Sequence, residues 1–311
     1  MKKICKIFIV KKYFTIIMVA SMKRKHFYQV LLVIILLVNV SCTTLIKGLT
    51  NDLAFGVYQQ NDMKLVQEAA PAYLLILESM IYKNPGNRDY LMTGIQLYTS
   101  YATAFIKDEE RSKLFNDKIL KWGNELLASY PLYKKYNAIS AQDREKKDIA
   151  FTKFIAGIKK ADVPYVFWGM YSIGMDALKN SNSPAGLLLL PRLLAIADKI
   201  YQLDDTFFNG APHLFFGLYY GSYPEAFGGS PVKAKAEFEK AIEISGGNML
   251  AHKIMFAEVY YKSQYDRDGY EKLLKEVIDF NIDLHPELRL MNIMAKQQAY
   301  KLLEEIDDVF Y

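Results

Sequence analysis

The sequence predicts an all-α fold in which helical hairpins follow one another and build a compact curved array. Three observations carry this. Apolar residues recur at three- and four-residue spacing through most of the chain beyond residue 42, the mark of helices with one buried face. Strand-like alternation is sustained nowhere. Short breakers rich in Gly, Pro, Asn and Ser separate the periodic stretches, and short connections join antiparallel neighbours.

Composition supports a large packed core. Of the 311 residues, 51% are hydrophobic, with 23 Tyr and 18 Phe, unlike a disordered chain. The net charge of +5 is unevenly distributed. Residues 1–41 hold Lys2, Lys3, Lys6, Lys11, Lys12, Lys23, Arg24 and Lys25 and no acid; taking those eight from 39 bases leaves 31 against 34 acids. The remainder is slightly acidic, which argues against nucleic acid as a partner. The two cysteines are Cys5 and Cys42, so the chain beyond Cys42 has no internal disulfide.

The N-terminus reads as an export signal. Met22-Lys23-Arg24-Lys25 is basic, Val30–Val38 is a short apolar run, and Ser41-Cys42 places a small residue before cysteine. That order is a secretory signal, too short for a comfortable membrane span. It resembles the bacterial lipobox, in which the cysteine becomes the lipidated first residue, although Asn39 stands where leucine is usual. Residues 1–41 are therefore expected to be a leader, Cys42 the lipid acceptor, and 42–311 one helical domain. Met1–Ser21 is a second basic and apolar stretch, so Met22 is the expected initiator. The alternative is an uncleaved anchor built from both apolar runs. Thr43, rather than Asp, follows the cysteine, which by the same resemblance favours the outer over the inner membrane.

Helices are expected at Leu53–Tyr82, Tyr90–Ile106, Ser112–Leu127, Val163–Leu178, Leu187–Leu203, His213–Tyr220, Pro231–Ile244, Met249–Tyr261, Tyr270–Phe280 and Leu288–Val309. Ser183-Pro184 and Ser230-Pro231 each set a capping hydroxyl before a first-turn proline, where the missing N–H costs nothing. Pro191 should kink its helix or delay its start.

The repeat signal is strongest between His213 and Gly246. A tetratricopeptide (TPR) unit pairs a helix bearing a bulky residue, Gly and a later Tyr with one bearing Ala, an aromatic and Ala. Here Phe216-Gly217 precedes Tyr220, and Ala234, Phe238 and Ala241 keep the second spacing. The connection Gly221–Pro231 is about five residues longer than a plain repeat allows. Phe256-Ala257 with Tyr260, Trp168-Gly169, and Thr93-Gly94 with Leu97 are looser echoes. TPR-like hairpins are therefore expected, against the alternative of a plain helical bundle.

The block Gly210–Tyr220, then Pro224, Gly228-Gly229 and the Ala234/Phe238/Ala241 helix, resembles the T component associated with TRAP transporters (TatT). So does the closing helix with Asn292, Ala295, Ala299 and Leu302-Leu303. The resemblance implies a periplasmic, TPR-like lipoprotein that forms homotrimers and pairs with the periplasmic solute-binding protein of a TRAP uptake system. It also implies passage of a hydrophobic or amphipathic ligand. No binding residue transfers by motif.

Chemistry is sparse. His213, His252 and His285 lack metal-ligand spacing, and no Lys-Ser or Lys-Thr follows Gly228-Gly229-Ser230 to make a phosphate loop. No cofactor is expected, and a hydrogen-bonded core role is expected for His213. In a TPR array the first helices line the concave surface. Gly217 at the small position sends Leu214 and Leu218 there, with Tyr219 nearby and Ser222 further along. Leu91, Ile95 and Tyr98 would face it in the first unit. The competing reading for all seven is ordinary core packing. Three functions follow: a non-enzymatic docking scaffold of a TRAP-type importer, a stand-alone periplasmic carrier of an apolar ligand, and, least supported, an enzyme with a cryptic site.

Overall fold

The computed structural model describes residues 56–179 and 184–311. Throughout Tyr58–Tyr311, one compact unit, the chain is helical, and no strand occurs among the described residues. Helix α1 (Met63–Lys83) starts at Asp62, whose carboxylate accepts the Leu65 N–H at 2.9 Å. The expected helix Leu53–Tyr82 is thus interrupted at residues 59–62; its segment before residue 56 lies outside the described residues. Gly86, at φ +78°, turns the chain into α2 (Arg88–Phe105), which Asn87 caps. Asp108 caps α3 (Glu109–Ala128) in the same way, at 2.8 Å from the Arg111 N–H. Such side-chain acceptors satisfy donors that the first helical turn leaves open.

Two helices appear where no periodic stretch was expected: α4 (Pro131–Ala138) and α5 (Arg144–Gly157). They pack on each other as a hairpin inserted between α3 and α6 (Val163–Lys179), which meet directly. The hairpin holds an aromatic cluster of Tyr130, Tyr133, Tyr136, Phe151 and Phe154, with ring centroids 5.0–6.1 Å apart in the contacting pairs. At its base the Tyr130 hydroxyl donates to Asp162 at 3.1 Å. The Arg88 guanidinium lies beside the rings of Tyr130 and Tyr165, 4.4 and 4.0 Å from their centroids. This cation–π arrangement closes the loop from the side of α2.

After α6 come α7 (Pro184–Leu203) and α8 (Phe207–Ser222), then α9 (Pro231–Ile244) and α10 (Leu250–Phe256), which continues through a π turn at Ala257–Tyr261. Helices α11 (Arg267–Asp279), α12 (Arg289–Glu304) and α13 (Ile306–Val309) complete the chain. Pro191 lies inside α7 without delaying its start. The Ser230 hydroxyl accepts the Lys233 N–H at 3.4 Å ahead of Pro231, as expected. Its counterpart Ser183 lies outside the described residues.

Helix crossings fall on glycines. A Cβ on Gly217 would stand 3.0 Å from the Phe238 ring, and one on Gly94 would stand 2.7 Å from Ile81 and 3.1 Å from Trp122. One on Gly169 would meet Leu127 at 2.6 Å, and one on Gly123 would overlap the Ser172 side chain. Ala234, Phe238 and Ala241 have no exposed surface, so the TPR-like spacing corresponds to real contact between α8 and α9.

A buried acid ties the first three helices together. Glu78 of α1, 8% exposed, accepts the hydroxyls of Tyr82 at 2.9 Å and Tyr98 of α2 at 2.8 Å. It also accepts the Lys118 ammonium of α3 at 2.8 Å. Burial pushes its pKa up, but these three donors together outweigh that and hold it below the usual carboxylate value.

Gly123→Ala is expected to force α3 from α6 and lower stability by roughly 1–3 kcal/mol, the usual cost of overpacking a close contact. Adding Ser172→Gly, which vacates the space opposite, should return part of that loss. Urea denaturation of the single and double variants checks both.

Candidate functional site

The α8–α9 hairpin is where the sequence concentrates its aromatic and repeat residues, and it begins with an unusual turn. Phe208, Asn209 and Gly210 all take left-handed backbone angles, with φ of +47°, +58° and +83°. Only glycine does this without penalty. Helical geometry resumes at Ala211, so the expected helix His213–Tyr220 is real but preceded by this reversal. At Gly210 a side chain would press on the backbone of Ala241 at 3.2 Å. The turn therefore seats α8 against α9.

His213 fastens the same junction. It is 4% exposed. Its Nδ1 lies 2.6 Å from Glu237 of α9, and its Nε2 lies 3.6 Å from Asp205, just before the turn. Tyr201 of α7 meets the imidazole edge-on at 4.7 Å between centroids. The role is the hydrogen-bonded core position expected for it. Its partners Asp205 and Glu237 were not foreseen, since one lies eight residues before it and the other on the next helix.

Of the seven residues assigned to a concave surface, three are corrected. Leu91 and Ile95 are wholly buried and Tyr98 is 3% exposed; all three belong to the core shared by α1, α2, α3 and α6. Tyr98 spends its hydroxyl on Glu78, and the Trp122 ring packs edge-on against it at 4.8 Å. Helix α2 is covered by neighbours on this face, so none of the three is open to a partner. The other four stand on α8. Leu214 and Leu218 are half-buried against the cluster of Ala234, Phe238 and Phe256. Tyr219 is half-buried, and Ser222 is exposed at the last position of the helix. The structure thus groups Leu214, Leu218, Tyr219 and Ser222 and leaves Leu91, Ile95 and Tyr98 on a separate helix. Cys42 lies outside the described residues.

The long connection after α8 is built firmly. Tyr219 donates its hydroxyl to the Phe227 carbonyl at 2.7 Å, and Ser230 N–H reaches the Tyr220 carbonyl at 2.8 Å. A Cβ on Gly229 would overlap the Tyr223 carbonyl. Yet this braced loop leaves Phe227 64% exposed, and Val232, in the first turn of α9, is 81% exposed. Tyr265, on the connection that follows the π turn, is 82% exposed at φ +53°. Sequence spacing offers no signal for Phe227 and Tyr265, because exposure of a loop residue depends on how the loop is folded back.

No group of three or more His, Cys, Asp or Glu side chains with metal-binding geometry occurs among the described residues. No helix among them is long and apolar enough to cross a membrane.

His252 on α10 is 2% exposed, with Nδ1 3.2 Å from the Ala241 carbonyl. Burial pushes its pKa down to about 4 against the opposing pull of that hydrogen bond. Between that value and the unfolded value near 6.5 the unfolded chain binds the extra proton, so stability falls as pH drops through this window. The expected loss from this group is about 3 kcal/mol. Urea midpoints measured from pH 7 to pH 4 should show it, and His252→Gln should flatten that part of the slope.

The sequence profile of a family described as the TRAP transporter T-component matches residues 59–310. A protein of Treponema pallidum (strain Nichols), described there as uncharacterized, is 23% identical over 267 residues, which is 81% of each chain.

Proposed function

The chain belongs to the TRAP transporter T-component family, and from that premise we propose that it is a non-enzymatic, lipid-anchored periplasmic component that docks the solute-binding protein of a TRAP-type importer. Membership gives the coarser part: an accessory role in a TRAP system and association with its transporter. Docking, trimer formation, anchoring through Cys42, outer-membrane placement and passage of a hydrophobic or amphipathic ligand are the finer parts of the proposal.

The observation that carries docking is the braced loop after α8. Phe227, whose backbone carbonyl is held by the Tyr219 hydroxyl, and Val232, in the first turn of α9, both present exposed apolar side chains, and a braced backbone loses little freedom on association. Large apolar anchors are what the centres of protein interfaces are made of. Ser222 and Tyr219 border this loop, so the partner surface runs from the end of α8 across the loop. Leu214 and Leu218, half-buried further back on the helix, form its inner margin. The non-enzymatic reading is supported by how the buried histidines are used: His213 binds Glu237 and His252 binds the Ala241 carbonyl, each joining two helices.

Co-expression with the solute-binding protein of its TRAP system should give a stable complex on affinity capture. Phe227→Ser with Val232→Asp should reduce capture at least tenfold while leaving the melting temperature within a degree or two, because both side chains are exposed. Absence of any complex with the unsubstituted chain would falsify the docking reading. Separately, Cys42→Ser should move the protein from the membrane to the soluble fraction of its host. If it stays in the membrane fraction, the lipid anchor is wrong.

A further inference from the structure

The first helix of the array keeps an apolar face in the open. The buried side chains of α1, among them Leu74, Leu77 and Ile81, belong to the core it shares with α2. On its other side Leu65, Ala69, Ala72 and Ile76 are exposed and follow one another at intervals of three and four residues, which sets them in one stripe along the helix. The terminal helix of a stacked array ordinarily turns a polar face to water, and this stripe does the opposite.

The patch continues onto α3. Lys118 donates to Glu78 at 2.8 Å, and the Lys121 ammonium lies 5.9 Å from the centroid of the Tyr82 ring. These two contacts set α1 and α3 side by side and running in the same direction. One turn earlier on each helix, Leu114 therefore comes level with Leu75. Leu75, Tyr82 and Leu114 are each more than half exposed.

Two observations say what covers this surface. The first is that Lys118 and Lys121 stand among the apolar side chains with their own side chains 40% and 60% exposed. A protein partner would strip water from both ammonium groups. At a bilayer surface their stems lie along the apolar layer while the charges stay among the headgroups, and a tyrosine such as Tyr82 suits the same boundary. Other exposed charges offset one another, as Lys64 does with Glu68 and Lys121 with Glu125, so anionic lipid is not required. The second is the tether. Twenty residues separate Cys42 from Met63, a reach of at most roughly 70 Å, so a lipid on Cys42 brings α1 to the bilayer ahead of the helices that follow it in the chain.

We propose that the outer face of α1 and the α1–α3 seam rest on the membrane surface, sunk into the boundary between headgroups and acyl chains. The proposal rests on the lipid-anchor reading above and adds the face by which the anchored protein lies down.

The test uses the full chain purified from its host membranes and reconstituted into phosphatidylcholine vesicles, with and without bromine on the acyl chains. Bromine quenches tryptophan only at close range, and the native Trp122 and Trp168 are buried. Leu75→Trp and Leu114→Trp should each be quenched at least twofold more than the unsubstituted chain. Val232→Trp, on α9, should not be. All three should keep the melting temperature, because the side chains replaced are exposed. Flotation with the vesicles reports the anchor separately. If the chain floats but neither Leu75→Trp nor Leu114→Trp shows extra quenching, the proposal is overturned and the anchor stands. If the chain does not float, the anchor fails and the proposal with it. A blue shift of Leu75→Trp emission without quenching marks a protein neighbour, such as a second copy of the chain, and overturns the proposal as well.

Discussion

Close approach of helices at points without a Cβ is the constraint on which the rest of this structure depends. Gly123 and Gly169 bring α3 and α6 together although the α4–α5 hairpin separates them in sequence. Gly94 lets α2 settle against Ile81 and Trp122, and Gly217 lets α8 settle under Phe238. Dense packing tolerates little excess volume, so these four positions set the spacing between layers. Large side chains then fill what remains, among them Trp122, Phe154, Phe238 and Tyr270.

Polar groups in the interior tie helices together. Glu78 gathers donors from α1, α2 and α3. Asn292 of α12 accepts the Leu250 N–H at 3.2 Å and donates to the Asn248 carbonyl at 2.9 Å, fixing the start of α10. A buried polar group without partners is costly, so each of these specifies one arrangement of its neighbours. The outcome is a scaffold whose open apolar side chains include Phe227 and Val232.

The α8–α9 hairpin was legible because its determinants lie within one hairpin and repeat at helical spacing: Gly217, Ala234, Phe238 and Ala241. The left-handed turn before it was not, since Phe208 is a poor candidate for such an angle and its ring packs on Trp168 of α6, a contact distant in sequence. The α4–α5 hairpin escaped notice for two reasons. Helix α4 spans Pro131–Ala138, barely two turns. On α5, Ile149 is half exposed while Ala150, Phe151 and Phe154 are buried, so no clean apolar stripe marks it. Leu91, Ile95 and Tyr98 were assigned to the wrong side because periodicity reveals a shared face without revealing what covers it. The meeting of the two ends of the described chain, where Arg289 reaches the Gln59 carbonyl, was beyond reach altogether. It spans 230 positions of the chain, a proximity that no local pattern encodes.

The base of the α4–α5 hairpin is pinched shut: Tyr130 and Asp162 touch, and Arg88 clasps the pair. The chain between them departs and returns at almost the same point, and its flank rests on α7 through Arg192, which pairs with Asp148 and lies over the Phe151 ring. Such a loop-out is a natural graft site. Its tip, around Ser140–Asp143, could carry a fluorescent reporter or lengthen over evolutionary time while the α3–α6 contact beneath feels nothing. Insertions at that tip would come at little structural cost.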